Sequence, residues 1–247
     1  MHTTNILKVV LALGQLVSAQ DAECPDLPET GIEIGEPVPI NPGDIPPGCS
    51  DFEVLVARGT SEPNFADGGK FGVIVGDPVV SNLTEILPGS RGYPVQYPAS
   101  SSIIIGGIRG RRDVVNRIVS QAEACPDQTF ALVGYSQGAT IMHRAARDIP
   151  EALYDRIVAL AMFGDPYLRY SFGDDFPAPL REKLLQNCAE GDATCDQGSC
   201  VFWHLTYIRP VWIDRTVEFL AAAFQGNPLP PSTTIGLPGA PQATDLS

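Results

Sequence analysis

A three-layer α/β/α sandwich around a central parallel sheet is the predicted fold class, and three observations carry it. Thr129–Tyr135 and Ile157–Phe163 are near-continuous apolar runs, the pattern of parallel strands covered on both faces. Segments with apolar residues at helical spacing alternate with the strand-like ones. The chain has 247 residues and is 44% hydrophobic, enough for one substantial core.

Taken in order, Phe52–Ala57 is a short apolar strand that ends at Arg58-Gly59. Residues 72–87 have helical apolar spacing, which Pro78 must kink or interrupt. Residues 93–97 read as a brief strand between prolines. Residues 111–122 set Val114, Val115, Ile118, Val119 and Ala122 on one face of an amphipathic helix. The strand Thr129–Tyr135 leads into a helical run over 139–149, and Ile157–Phe163 follows as a strand. Residues 211–224 repeat Ile213, Val217, Leu220, Ala221 and Phe224 as a final helix.

These elements occupy a core of residues 49–224, one domain by size and without an internal repeat. Ahead of it, Lys8, an apolar run over 9–17 and the small-residue finish Val17-Ser18-Ala19 read as a signal peptide spanning 1–19. The run is too short to span a bilayer, so a secreted protein with no integral membrane segment is expected. Residues 20–48 read as an acidic, proline-rich arm or pro-segment, with seven acidic side chains and no basic one. Residues 225–247, with five Pro and three Gly, read as a disordered tail. The formal charge of −13 speaks against nucleic acid and anionic membrane surfaces as partners. Much of it sits in the arm, and the core alone carries −6.

Six cysteines (Cys24, Cys49, Cys125, Cys188, Cys195 and Cys200) form an even set, read as disulfides in an oxidising compartment. Spacing does not choose among their possible pairings. It also fails to match a zinc site, and no metal is expected. Residues 106–110 lack the spacing of a nucleotide-binding glycine loop. Arg109-Gly110-Arg111-Arg112 reads as the solvated start of a helix, and Asn82-Leu83-Thr84 is a glycosylation sequon.

Chemistry is announced by Gly134-Tyr135-Ser136-Gln137-Gly138, a G-x-S-x-G pentapeptide between a strand run and a helical run. A sharp strand-to-helix turn lifts the serine hydroxyl above the sheet edge. Side chains two before and two after would collide, which calls for glycine at both places. A serine nucleophile needs a base. Of three histidines, His2 leaves with the signal peptide. His143 lies seven residues beyond Ser136, about 10 Å along the same helix, and is expected on the helix surface or in a groove. His204 remains as the base. Two carboxylates qualify as its partner: Asp165, which follows a strand, and Asp192, in a loop that a disulfide between Cys188 and Cys195 would clamp. A rigid loop favours Asp192, and Asp165 stays open.

Four blocks in order resemble the cutinase family, small secreted serine esterases that include cutinases and acetylxylan esterases. They are residues 54–63 around Arg58-Gly59-Thr60-Ser61-Glu62, residues 125–139 with the elbow, residues 188–195 around Gly191-Asp192, and His204-Leu205-Thr206-Tyr207. The resemblance covers roughly residues 49–224 and implies a small α/β-hydrolase without a cap domain. It implies a triad of Ser136, Asp192 and His204, with an oxyanion hole from Thr60 and the Gln137 N–H. Disulfides Cys49–Cys125 and Cys188–Cys195 are implied as well, which leaves Cys24 and Cys200 to pair. No cofactor is implied.

The implied function is hydrolysis of carboxylic esters, cutin-type polyesters or short-to-medium acyl esters, by a monomer. Acetylxylan or lipase-like esters are an alternative within the family. A non-catalytic surface-binding or elicitor protein on the same scaffold is an alternative from another class. Val201, Phe202, Trp203 and Leu205 flank the base and serve either an acyl chain or the core.

Overall fold

The computed structural model describes residues 24–26, 41–62, 70–100, 103–170, 175–230 and 236. The expected signal segment, residues 20–23 and 27–40 of the expected arm and most of the expected tail lie outside these. Five strands, β1 (Phe52–Ala57), β2 (Ser90–Pro94), β3 (Thr129–Tyr135), β4 (Ile157–Phe163) and β5 (Leu184–Asn187), form one sheet. Their order is β2-β1-β3-β4-β5, and every neighbouring pair is parallel.

Successive side chains of a strand point to opposite faces, and here the two faces feed two cores. Val54, Val56, Ala131, Val133, Ala159 and Ala161 join one cluster with α1 (Gly76–Ile86) and α7 (Pro210–Phe224). Leu55, Leu132, Leu160 and Met162 join the other with α2 (Ile103–Ala124) and α3 (Gln137–Ala146). This doubly covered parallel sheet is the three-layer sandwich read from the sequence. Short helical turns α4 (Pro166–Arg169), α5 (Ala178–Arg181) and α6 (Val201–His204) complete it. Among the described residues no cap domain is inserted, and no helix is long and apolar enough to cross a membrane.

Several boundaries move. Pro78 neither kinks nor breaks α1, because it falls in the first turn, where N–H groups have no helical partner to lose. The brief strand expected over 93–97 is β2, shifted toward the N-terminus. α2 begins at Ile103 rather than 111, so Arg109, Arg111 and Arg112 are exposed along an established helix instead of at its start. The sequon residue Asn82 lies half-buried on α1. Glu53 is fully buried within β1, where it takes ion pairs from Arg91 at 2.9 Å and Arg117 at 2.6 Å. The same two arginines also hold the end of the expected arm, through Pro46, Pro47 and Gly48 carbonyls.

Three disulfides join described residues: Cys49 to Cys125, Cys188 to Cys195, and Cys24 to Cys200. The last fixes residues 24–26 to the N-terminal end of α6.

Candidate active site

β3 hands over to α3 at Ser136, whose φ of 54° and ψ of −115° lie outside the regions open to ordinary L-residues. Its amide donates to the Phe163 carbonyl at 2.9 Å, which ties the turn to the end of β4. The flanking glycines answer specific collisions. A Cβ on Gly138 would fall 1.9 Å from the Ala57 carbonyl oxygen of β1, and one on Gly134 would fall 2.7 Å from the Ala139 backbone. Ser136, Gln137 and Thr60 share the wall of one cavity of about 380 Å³.

The loop that carries Thr60 is held by buried polar groups that sequence reading overlooked. Glu62 accepts from the Gly59 N–H at 2.8 Å and the Ile74 N–H at 2.7 Å, pinning the loop to the entrance of α1. Arg58 donates to the carbonyls of Glu62 and Tyr97, and the Tyr97 hydroxyl donates back to the Arg58 carbonyl. Burial pushes the Glu62 carboxyl up to about 7, despite the two N–H donors and nearby Arg58. Its unfolded value is near 4.5, so between these pH values the native state keeps a proton that the unfolded chain has released. Raising the pH through that window therefore removes stability, on the order of 3 kcal/mol in full. Asp77, also raised by burial, acts with the same sign. The thermal midpoint of Glu62→Gln is expected to fall less than that of wild type between about pH 5 and pH 7.5. Equal slopes would exclude Glu62 as a titrating group.

His204 closes α6, and its ring Nδ1 meets Asp192 Oδ2 at 2.8 Å and Oδ1 at 3.0 Å. Asp192 is fully buried and also accepts from the Tyr207 hydroxyl at 2.6 Å and the Thr194 N–H at 2.7 Å. Burial on its own pushes the Asp192 carboxyl up. The His204 hydrogen bond and charge, with the Tyr207 and Thr194 donors, outweigh it, and the net shift is downward. Burial and the Asp192 charge raise the Tyr207 phenol well above its ordinary value, so it stays a donor.

An Asp192–Cys200 backbone bridge joins the loop of Asp192 to the segment of His204, and the Tyr135 hydroxyl, at the end of β3, donates to the His204 carbonyl at 2.7 Å. Gly164, with φ of 52°, leaves the imidazole its space: a Cβ there would lie 2.5 Å from His204 Cε1.

Asp165 takes no part in this contact. Its Oδ2 meets His143 Nε2 at 2.8 Å and accepts from Gln186 at 2.7 Å, while Oδ1 caps α4 through the Tyr167 N–H. Of the two expectations for His143, helix surface or groove packing, the second describes it: the ring is 1% exposed and stacked between Tyr167 and Phe176. The apolar residues beside His204 divide: Trp203 and Leu205 pack on the core, while Val201 is 47% exposed. Among the described residues no group of three or more His, Cys, Asp or Glu side chains is placed to hold a metal ion.

Comparison with known proteins adds to this geometry. The chain is 36% identical to cutinase cut1 of Trichoderma harzianum over 167 residues, which are 64% of this chain and 62% of that protein. It is 32% identical to carboxylesterase Culp1 of Mycobacterium tuberculosis, over 70% of this chain and 81% of that one. The Trichoderma reesei cutinase solved with a C11Y4 phosphonate inhibitor superposes with a TM-score of 0.59 at 32% identity, over 78% of this chain and 81% of that one. An acetylxylan esterase structure, at 23% identity and a TM-score of 0.60, shares the fold. With the family pattern for Cutinase matched over residues 48–224, the chain belongs to the cutinase family.

Proposed function

We propose that this protein is a carboxylic ester hydrolase that works through Ser136, His204 and Asp192. The observation that carries the reading is the His204 Nδ1–Asp192 contact, with the His204 ring 5.0 Å from that of Tyr135, the residue before a serine held in a strained turn at the head of α3. With Nδ1–H given to the carboxylate, His204 Nε2 is left to accept a proton. The Ser136 hydroxyl gives it up while its oxygen attacks the ester carbonyl. The N–H groups of Thr60 and Gln137 receive the oxyanion, with the Thr60 hydroxyl as a further donor. The imidazolium then protonates the departing alcohol, and an acyl-enzyme on Ser136 remains. Water attacks that ester with His204 again as base, which releases the acid and restores the serine.

A site without an inserted cap suits bulky esters, because a polymer surface cannot enter a closed pocket. Cutin-type polyesters and short-to-medium acyl esters are therefore the proposed substrates. The exposed Val201 supports contact with an aliphatic chain outside the cavity. Three disulfides support an extracellular location after removal of residues 1–19.

An alkyl fluorophosphonate that mimics the tetrahedral intermediate tests the reading. One adduct per chain is expected, on the tryptic peptide containing Ser136, with loss of p-nitrophenyl butyrate hydrolysis in step with labelling. Full activity in protein labelled at Ser136 would overturn the assignment, and no hydrolysis by the untreated protein would favour the non-catalytic alternative.

A further inference from the structure

The cavity beside Ser136 contains a cation that the hydrolytic steps do not use. Ser136, Thr140 and Arg144 follow one another at four-residue spacing, so they form one stripe along α3, and all three line the cavity. Arg144 sits about 12 Å beyond Ser136 by helix rise, but helical side chains lean toward the N-terminus, back over the preceding turn. Its guanidinium lies against Gly107 of α2, where a Cβ would approach Nη1 to 3.2 Å.

Three other half-buried arginines are spent on protein partners: Arg117 on Glu53, and Arg156 and Arg169 on backbone carbonyls. Among the described residues Arg144 makes no ion pair and donates no hydrogen bond. The nearby carboxylates are taken, Asp165 by His143 and Asp192 by His204. A planar fork of donors in a partly apolar cavity fits a carboxylate in two-point contact, with the Thr140 hydroxyl beside it. On an acidic chain, one such cation reverses the local preference against anions.

The side of the ester follows from the same walls. The leaving alcohol must face His204, which takes no part in lining the cavity among the described residues, whereas Ser136, Thr60 and Gln137 do. The cavity therefore belongs to the acyl side.

We propose that Arg144 is a specificity-determining residue that receives a carboxylate at the far end of the acyl group. The preferred substrates are then half-esters of dicarboxylic acids of about glutarate to adipate length, whose distal charge reaches about one helical turn past the ester carbon. Hydrolysis consumes one water and releases the alcohol and the dicarboxylate. The proposal rests on the esterase reading above.

The test compares mono-4-nitrophenyl adipate with its neutral methyl ester, 4-nitrophenyl methyl adipate, as a ratio of kcat/KM values. Arg144→Gln is expected to lower that ratio about tenfold or more, with Arg144→Lys between it and wild type. Added salt should lower the wild-type ratio more than that of Arg144→Gln. An unchanged ratio in Arg144→Gln would overturn the proposal. If neither ester is hydrolysed by wild type, the esterase reading fails on its own. Calorimetric binding of adipate to wild type and Arg144→Gln then decides: about tenfold weaker binding supports the subsite, and equal binding overturns it.

Discussion

Ser136→Ala is expected to lower kcat for a short-chain p-nitrophenyl ester by at least about three orders of magnitude. The substitution removes the only atom proposed to bond to the acyl group. The proposed oxyanion donors stay in place: Thr60 remains on the loop pinned by Glu62, and the Gln137 N–H is backbone. A small residual rate from binding and oxyanion stabilisation alone should therefore survive. Alanine keeps the positive φ that serine already tolerates, so the thermal midpoint should stay within a few degrees of wild type. Steady-state turnover and a thermal scan on the same preparation check both halves. Equal residual rates in wild type and variant would leave no catalytic role for the elbow.

The second large effect separates two carboxylates that the bare sequence leaves in competition. Asp192→Asn is expected to cost about 10⁴-fold in kcat. An amide in that position offers N–H donors where the imidazole Nδ1–H needs an acceptor, so the ring loses the tautomer that frees Nε2. It also strands the Tyr207 hydroxyl, buried and aimed at the same oxygen. Asp165→Asn should act differently, because Asp165 faces His143 and Gln186. Loss of that buried contact should lower the thermal midpoint, while turnover per folded molecule stays within about tenfold of wild type. Turnover of both variants, normalised by phosphonate titration, makes the comparison. If Asp165→Asn alone abolishes turnover, the two roles are reversed.

Strands β1, β3 and β4 are legible to the residue because burial on both faces leaves no ambiguity in their composition. β5 is not legible: it is four residues long, and two of them are Gln186 and Asn187. Their polarity has structural partners, Asp165 for Gln186 and Thr216 for Asn187, which no local pattern announces. The early start of α2 is hidden by Gly106, Gly107 and Gly110, poor helix formers that bring it close to α3.

At the site, the elbow can be read because its glycines answer collisions peculiar to that turn. Which carboxylate meets His204 depends instead on where His143 goes. Its burial follows from stacking on Tyr167 and Phe176, which lie 24 and 33 residues away along the chain. Glu62 reads as one more acid in an acidic chain until its two N–H partners are seen. Arg144 looks like helix-surface charge until the cavity is seen beside it.

The bond between Cys24 and Cys200 makes the chain between them a macrocycle, with Cys49–Cys125 and Cys188–Cys195 nested inside. A single backbone cut within that ring frees no fragment: between residues 24 and 49, 125 and 188, or 195 and 200 it opens the ring, and inside a nested loop the inner disulfide keeps the ring closed. The nicked protein gains the mass of one water and remains one molecule until a reductant is added. Cleavage between residues 24 and 49 therefore leaves the piece that contains Cys24 fastened to the segment that carries His204. Whatever trims this protein once inside the ring changes its connectivity but removes no residue.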